Sequence, residues 1–369
     1  MVGIKSSFMR RSDVSKRVTV VICAYNRTDF LRESLQSVLN QTYKDIRIVV
    51  LDDCSTEDVE SVVRSFDDGR IEYIRNEKNL GLVGNWNKAF EVCDTEYLNI
   101  FHDDDRMFPW MIEKLVWVLD NNPNVVVALS GKFFTLESSA IPSAPEKMNG
   151  LLYEKGEFVR NICSRGANYV VCPSAFFRKR AIDSAGMFFR DDVGLAADLY
   201  FWLEANSKGL PLYILNSPLL EYRVHPGSFS NTSGSEKWIF THKRVEDLIK
   251  GMNIGCDTRK LQETFGMMPI TLYVRREGED FDPSRINDLR RRLQEDLGWT
   301  LSDKALNEAV AVGYLGESIT AVAKGQAGCL DYLKKQRELH RRGFPVPIKR
   351  QIKWFLKYVL APKITGKKL

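Results

Sequence analysis

The first 130 residues switch repeatedly between two hydrophobic periods. Arg17–Cys23 (RVTVVIC), Ile46–Leu51 (IRIVVL) and Val125–Leu129 are continuous apolar runs of strand length, Tyr97–Phe101 is a shorter one, and Ile71–Arg75 alternates as a half-buried strand does. Between these runs the spacing is helical. Leu31, Leu35, Val38 and Leu39 recur at i, i+4, i+7 and i+8 behind Thr28 as a cap. Val59, Val62, Val63 and Phe66 follow i, i+3, i+4 and i+7 behind Ser55 and Asp58, which are spaced as a capping box. Pro109 fits the first turn of a helix running to about Asp120. Strand and helix in alternation predict a mostly parallel sheet covered on both faces, with ligands bound beyond the carboxyl ends of its strands.

From Gly131 to Val224 the pattern loosens into short strand-like pieces (Tyr169–Val171, Ala175–Arg178, Leu212–Leu215, Leu219–Val224) around one helical pattern at Ala197–Ser207. From Lys237 to Arg342 the chain reads as mostly helical, with Leu289, Leu293 and Leu297 at four-residue spacing. A composition of 44% hydrophobic and 27% charged residues over 369 positions excludes a disordered chain, a collagen-like repeat and a small disulfide scaffold. No run approaches the roughly 18 apolar residues of a membrane span, and no apolar core follows the basic N-terminus as a secretory signal would require. Seven scattered cysteines without a CxxC pair imply reduced thiols in a cytosolic protein rather than a zinc site.

Charge divides the chain further. The net charge is +5, yet Arg341–Leu369 carries nine Lys or Arg and no acid, which leaves the other 340 residues at −4. An acidic body argues against nucleic acid as partner. In the tail, Ile348, Ile352, Phe355, Leu356, Val359 and Leu360 recur at helical spacing, with Lys349, Arg350, Lys353 and Lys357 towards the other side. A basic amphipathic helix of this kind suits an anionic membrane surface; a terminal helix docked on the core is the alternative.

Two acidic clusters stand at predicted strand ends: Asp52-Asp53, and His102-Asp103-Asp104-Asp105. Adjacent carboxylates repel one another unless solvent or a cation neutralises them. Hard divalent cations take oxygen ligands and are often held by one or two carboxylates plus substrate phosphates.

The segments VTVVICAYNRTDFLRESLQSVLNQTYKDIRIVVLDDCST and NLGLVGNWNKAFEVCDTEYLNIFHDDDRMFP, followed by Gly186–His225, resemble the inverting family 2 glycosyltransferases of GT-A fold. The resemblance covers roughly half the chain. It implies an α/β fold, the Rossmann-like GT-A sheet, over residues 1–226. The donor-binding half would be about 17–130 and the acceptor-side half about 131–226, with a mostly helical extension at 227–342 and the basic tail at 343–369. Ala24, Tyr25, Asn26, Arg27, Asp52 and Asp53 would face the nucleotide, with Asp52 bonding the base, and Gly81 and Gly84 would allow close backbone approach beside Asn85 and Asn87. Aligned on Pro109, the two acids of the family's DxD motif fall on His102 and Asp104. Asp104 is then the expected metal ligand, with His102 as a further ligand or a support, and Asp103 and Asp105 on the ribose or sugar. His225 would complete the metal shell or touch the diphosphate, and Arg223 would grip phosphate as a fork.

In GLAADLYFWLEANSKG, Asp198 matches the family's catalytic base, with Asp191 and Asp192 as competitors. The resemblance therefore implies an Mn²⁺- or Mg²⁺-dependent enzyme that moves a sugar from a UDP-, dTDP- or GDP-linked donor to a saccharide acceptor. That acceptor would be lipid-linked, in surface-polysaccharide or O-antigen assembly at the cytoplasmic face of the membrane. Two alternatives stay open: a donor-binding partner subunit without turnover, given His102 and Ala197 at positions usually acidic, and a sugar nucleotidyltransferase.

Overall fold

A computed structural model describes residues 16–135, 143–166, 170–223, 225, 227–228, 235–277, 280–323 and 329–344. The amphipathic tail proposed for membrane contact lies almost wholly outside the described residues.

The elements run β1 (Val18–Ala24), α1 (Thr28–Leu39), β2 (Ile46–Asp52), α2 (Val59–Arg64), β3 (Ile71–Arg75), α3 (Gly81–Val92), β4 (Tyr97–His102), β5 (Arg106–Met107), α4 (Met111–Asn121) and β6 (Val127–Thr135). They continue as β7 (Gly150–Tyr153), α5 (Glu157–Arg165), β8 (Phe176–Arg178), α6 (Lys179–Ser184), α7 (Ala197–Ser207) and β9 (Leu212–Tyr222). The helical segment is α8 (Ser235–Gly251), α9 (Arg259–Glu277), α10 (Pro283–Leu297), α11 (Asp303–Ala323) and α12 (Cys329–Arg341). The sheet order is β3-β2-β1-β4-β8-β6-β9-β5, with β7 also pairing β9. β1, β2, β3 and β4 run parallel, as the alternation of strand and helix predicts. β8 joins antiparallel between β4 and β6, and β6 pairs parallel with β9.

Alternate residues of β1 serve opposite faces. Val18, Val20 and Ile22 pack with Leu31, Leu35 and Val38 of α1 and Leu115 and Leu119 of α4. Val21 and Cys23 pack on the other side, in a core with Trp86, Phe90 and Phe201 that continues into Val245, Phe265, Leu293 and Val310 of the helical segment. The apolar interior thus runs unbroken from the sheet into the C-terminal helices, so burial of that face depends on them.

Several local expectations change. Arg27 rather than Thr28 stands at the α1 cap position without a side-chain bond, because the Thr28 amide and hydroxyl both donate to Glu57 Oε2. The Ser55–Asp58 box does not form: Asp58 caps α2 by accepting from the Ser61 amide, and Ser55 Oγ accepts from the Asn26 amide. Leu212–Leu215 and Leu219–Val224 are not two strands. Leu212–Tyr222 is continuous, with its register against β6 shifting around Ser130–Phe134. Val171 lies outside any strand, ahead of a 3-10 turn at Cys172–Ser174.

Candidate active site

The carboxyl ends of β1, β2 and β4 converge on a cavity of about 770 Å³. Two loops leaving these ends carry non-glycine residues in the left-handed region, Asn26 at φ +51° and Cys54 at φ +61°, a conformation that only surrounding contacts can hold. Asn26 Oδ1 supplies such contacts by accepting from the Thr56 amide at 2.7 Å and the Glu57 amide at 3.3 Å, which ties the first loop to the second.

Asp52 is fully buried. Its carboxylate accepts from the Ser55 amide (3.0 Å), the Tyr73 hydroxyl (2.7 Å) and Arg75 Nη1 (2.6 Å). Asp53 accepts from the Leu80 and Gly81 amides at 2.8 and 2.9 Å and from Asn76 Nδ2 at 2.9 Å. It therefore satisfies amides that open α3, where a carboxylate is favoured. Gly81 enters α3 at φ +74°, with nothing within 4 Å of where its Cβ would lie. It is glycine for its backbone, while a Cβ on Gly84 would stand 2.8 Å from Leu80 Cβ. Asn85 donates to the Leu51 carbonyl and accepts from Asn76. Asn87 does not line the cavity: its side-chain amide is spent on both backbone groups of Phe189, at 2.8 Å each.

The acids after β4 divide in two directions. Asp103 accepts from the Tyr25 amide at 3.0 Å and from Arg27 Nη1 at 2.9 Å, and the same guanidinium nitrogen bonds Asp104 Oδ2 at 3.0 Å. Burial pushes Asp103 up to about 7, opposed by Arg27. His225 Nε2 lies 3.1 Å from Asp104 Oδ2. Ligand atoms of His102, Asp104 and Asp105 lie within 4.8 Å of one another. Among the described residues, His102 Nε2 and Asp105 Oδ2 are buried without a hydrogen-bond partner. Burial keeps the His102 imidazole neutral, down to about 4, and raises Asp105 well above the usual carboxylate range. Asp105, expected beside Asp103 on the sugar, is grouped instead with His102 and Asp104. Two carboxylates and a neutral imidazole, with buried donor atoms left unpaired, fit a divalent cation.

Arg223 differs from the expected phosphate fork. Its amide donates to Asp105 Oδ1 (2.8 Å), its Nε to the Asp104 carbonyl (2.8 Å) and its Nη2 to Glu33 (2.8 Å), and its guanidinium lies 4.3 Å over the Phe30 ring. It braces the acidic turn from behind and is not among the cavity's lining residues.

Asp198 lines the same cavity from the first turn of α7, after a 3-10 turn at Gly194–Ala196. It is partly open to the cavity, and the burial around it pushes its carboxyl up to about 6 against backbone donors that include the Leu199 amide at 2.7 Å. The rival Asp192 points elsewhere, paired with Arg190 at 2.6 Å and Arg244 at 2.9 Å, and Asp191 is exposed. Neither lines the cavity.

The sequence reading missed the helical wall. Trp238 and His242 of α8, Phe265, Met267 and Met268 of α9, and Val312 of α11 all line the same cavity. Their helical spacing was legible, but nothing local shows that these helices return to the strand ends.

Residues 19–186 match the family model described as Glycosyl transferase family 2. By that match, residues 19–186 of the chain are assigned to glycosyltransferase family 2. Among its relatives, the Escherichia coli UDP-Glc:alpha-D-GlcNAc-diphosphoundecaprenol beta-1,3-glucosyltransferase WfaP is 26% identical over 213 residues, which is 58% of this chain and 79% of that one. The Campylobacter jejuni GalNAc(5)-diNAcBac-PP-undecaprenol beta-1,3-glucosyltransferase is 32% identical over 103 residues, 27% of this chain and 33% of that one. The crystal structure of S. aureus TarS 1–349 with UDP-GlcNAc superposes at TM-score 0.53 and 16% identity, covering 88% of this chain and 89% of that one. That likeness shows the fold of this glycosyltransferase, GT-A. No helix among its described residues is long and apolar enough to cross a membrane.

Proposed function

We propose that this family 2 glycosyltransferase is a metal-dependent, inverting enzyme that transfers a sugar from a nucleotide-diphosphate donor to a saccharide hydroxyl. One observation carries the reading: a single cavity is lined both by acids after β4, Asp103 and Asp104 with His102, and by a carboxyl from a different element, Asp198 of α7. His102, Asp104 and Asp105 would hold the cation, with His225 beside Asp104. When bound, the cation neutralises charge developing on the departing diphosphate. An imidazole in the donor set suits Mn²⁺ better than Mg²⁺.

The protein's own part follows from these residues. The loops after β1 and β2, held together through Asn26, receive the nucleotide, with Asp52 and Arg75 at the base end and Arg27 and Asp103 nearer the sugar. As the acceptor oxygen bonds to the anomeric carbon, its proton passes to the Asp198 carboxylate, and the bond to the diphosphate oxygen breaks with its electron pair leaving on the nucleoside diphosphate. Attack on the face of the sugar opposite the leaving group would invert the anomeric centre. The two relatives named for undecaprenol-linked substrates support a lipid-linked acceptor in polysaccharide assembly, at the cytoplasmic face of the membrane.

Thermal melts with UDP, dTDP and GDP, each with and without Mn²⁺, test the donor site. A ligand bound only by the folded chain raises its melting temperature. A rise that needs both metal and one nucleotide is expected and names the base. No rise with any pair would overturn the donor assignment, and binding without sugar transfer would leave a donor-binding subunit.

A further inference from the structure

The wall that α8 and α9 present to the cavity is mostly apolar; its two threonines, Thr264 and Thr271, donate to the Lys260 and Ala309 carbonyls, which leaves Trp238 and His242 as its other polar side chains. Trp238 is 8% exposed and His242 2%, and both side chains line the cavity. Among the described residues, neither Trp238 Nε1 nor His242 Nδ1 has a hydrogen-bond partner. An unpaired buried donor or acceptor is destabilising, so a wall that served packing alone would favour Phe or Leu at both places. Burial holds the His242 imidazole neutral, pushed down to about 3, so the ring keeps one N–H and one acceptor nitrogen. The two rings stand one turn apart on α8 with centroids 5.4 Å apart, and His242 stacks on Phe265 at 4.0 Å. Met267 and Met268 continue the surface, and Pro269 within α9 has no N–H to give the Phe265 carbonyl.

This wall is fixed to the element that carries Asp198. Thr241, between the two ring residues on α8, accepts the Leu195 amide at 2.9 Å in the turn that leads into α7. A saturated hydrocarbon chain would use the aromatic and methionine surface but leave both nitrogens unpaired. A pyranose has apolar C–H faces for the rings and hydroxyls for the nitrogens.

We propose that Trp238 and His242 form the saccharide subsite of the acceptor, an assignment that rests on the transferase reading above. The acceptor's sugar ring lies against the α8–α9 wall. Both nitrogens are closed to solvent in this structure; the rings turn as the sugar docks, its hydroxyls then pair with the indole N–H and the imidazole, and this orients one further hydroxyl towards Asp198.

The test uses the full chain with Mn²⁺ and the nucleotide that raises its melting temperature. Saturation-transfer NMR measures binding of octyl glucoside, octyl galactoside and octyl N-acetylglucosaminide, with octane-1,2-diol as the chain-only control. At least one glycoside should bind and the diol should not. The double variant Trp238→Phe/His242→Phe should weaken that glycoside tenfold or more while keeping the nucleotide- and metal-dependent rise. Should the double variant fail to fold, Trp238→Phe alone, which keeps a ring and removes the N–H, should weaken it severalfold. The subsite is overturned if no glycoside binds, if the diol binds as well, or if the variant binds the glycoside unchanged. A wild-type chain with no nucleotide-dependent rise would instead overturn the transferase reading, and the subsite with it.

Discussion

On the strand-end side of the cavity three carboxylates are already engaged: Asp52 with Tyr73 and Arg75, Asp53 with the start of α3, Asp103 with Tyr25 and Arg27. Among the described residues, His102 Nε2 and Asp105 Oδ2 stay without a hydrogen-bond partner there, where a cation would sit. On the helical side an apolar wall carries two unpaired nitrogens. The first side is organised for charge before any ligand arrives, which spares reorganisation when a diphosphate departs. The second is completed only by what binds there. On the proposed reading, the contrast teaches where variation among relatives should fall: little at the strand ends, which would serve a chemistry common to many donors, and more on the helices, which would choose the acceptor.

Asp198→Asn tests that division most severely. Transfer should fall about 10²–10⁴-fold, the usual contribution of a general base, while the nucleotide-dependent rise in melting temperature stays. Full activity in the variant would move the base elsewhere. In the wild type, transfer at subsaturating substrate should climb about tenfold per pH unit up to about pH 6 and then level. The neighbours that interact with Asp198, Cys172 and Tyr222, both titrate above their ordinary values and stay neutral across that range.

The same substitution should also stabilise the fold. Asp198 is raised in the folded state from 3.8 to about 6. The folded chain therefore holds this proton more tightly, and stability falls as pH rises from about 4 to about 6. The loss is complete above that and amounts to as much as about 3 kcal/mol, less whatever cavity water returns. Asp198→Asn should melt higher than wild type at pH 7.5 and equally below about pH 4. A lower melting temperature at neutral pH would contradict the burial argument.

Arg27→Met probes the organised side. It leaves Asp103 and Asp104 without a guanidinium shared at 2.9 and 3.0 Å. Breaking a largely buried pair costs about 3 kcal/mol, which denaturant unfolding would read. An unchanged midpoint would mean that the acids do not need it. Gly81→Ala should be the mildest, at about 1–2 kcal/mol for a Cβ at φ +74° in open space. A loss well beyond that would reveal a contact the geometry does not contain.

The parallel strands and the acids at their ends were legible because each is a local pattern: a run of apolar residues, then carboxylates where the run stops. α3 was not, because Gly81 and Gly84 disfavour a helix locally, and only Asp53, nearly thirty residues earlier, supplies the bonds that start it. Arg223 could be singled out by the family resemblance but not oriented, since Glu33 and Phe30 come from α1. Trp238 and His242 were invisible as site residues for the same reason: their meaning depends on a core shared between distant segments.

Gly194, at φ +81°, sits so close to α8 that an added Cβ would lie 2.3 Å from Thr241 Oγ1, the oxygen that holds the Leu195 amide. Neither residue can change alone without moving the turn before Asp198. Across homologues the two positions should therefore covary, or stay fixed together. A graft that brings a new pair of acceptor-side helices onto this sheet must carry its own partner for that turn.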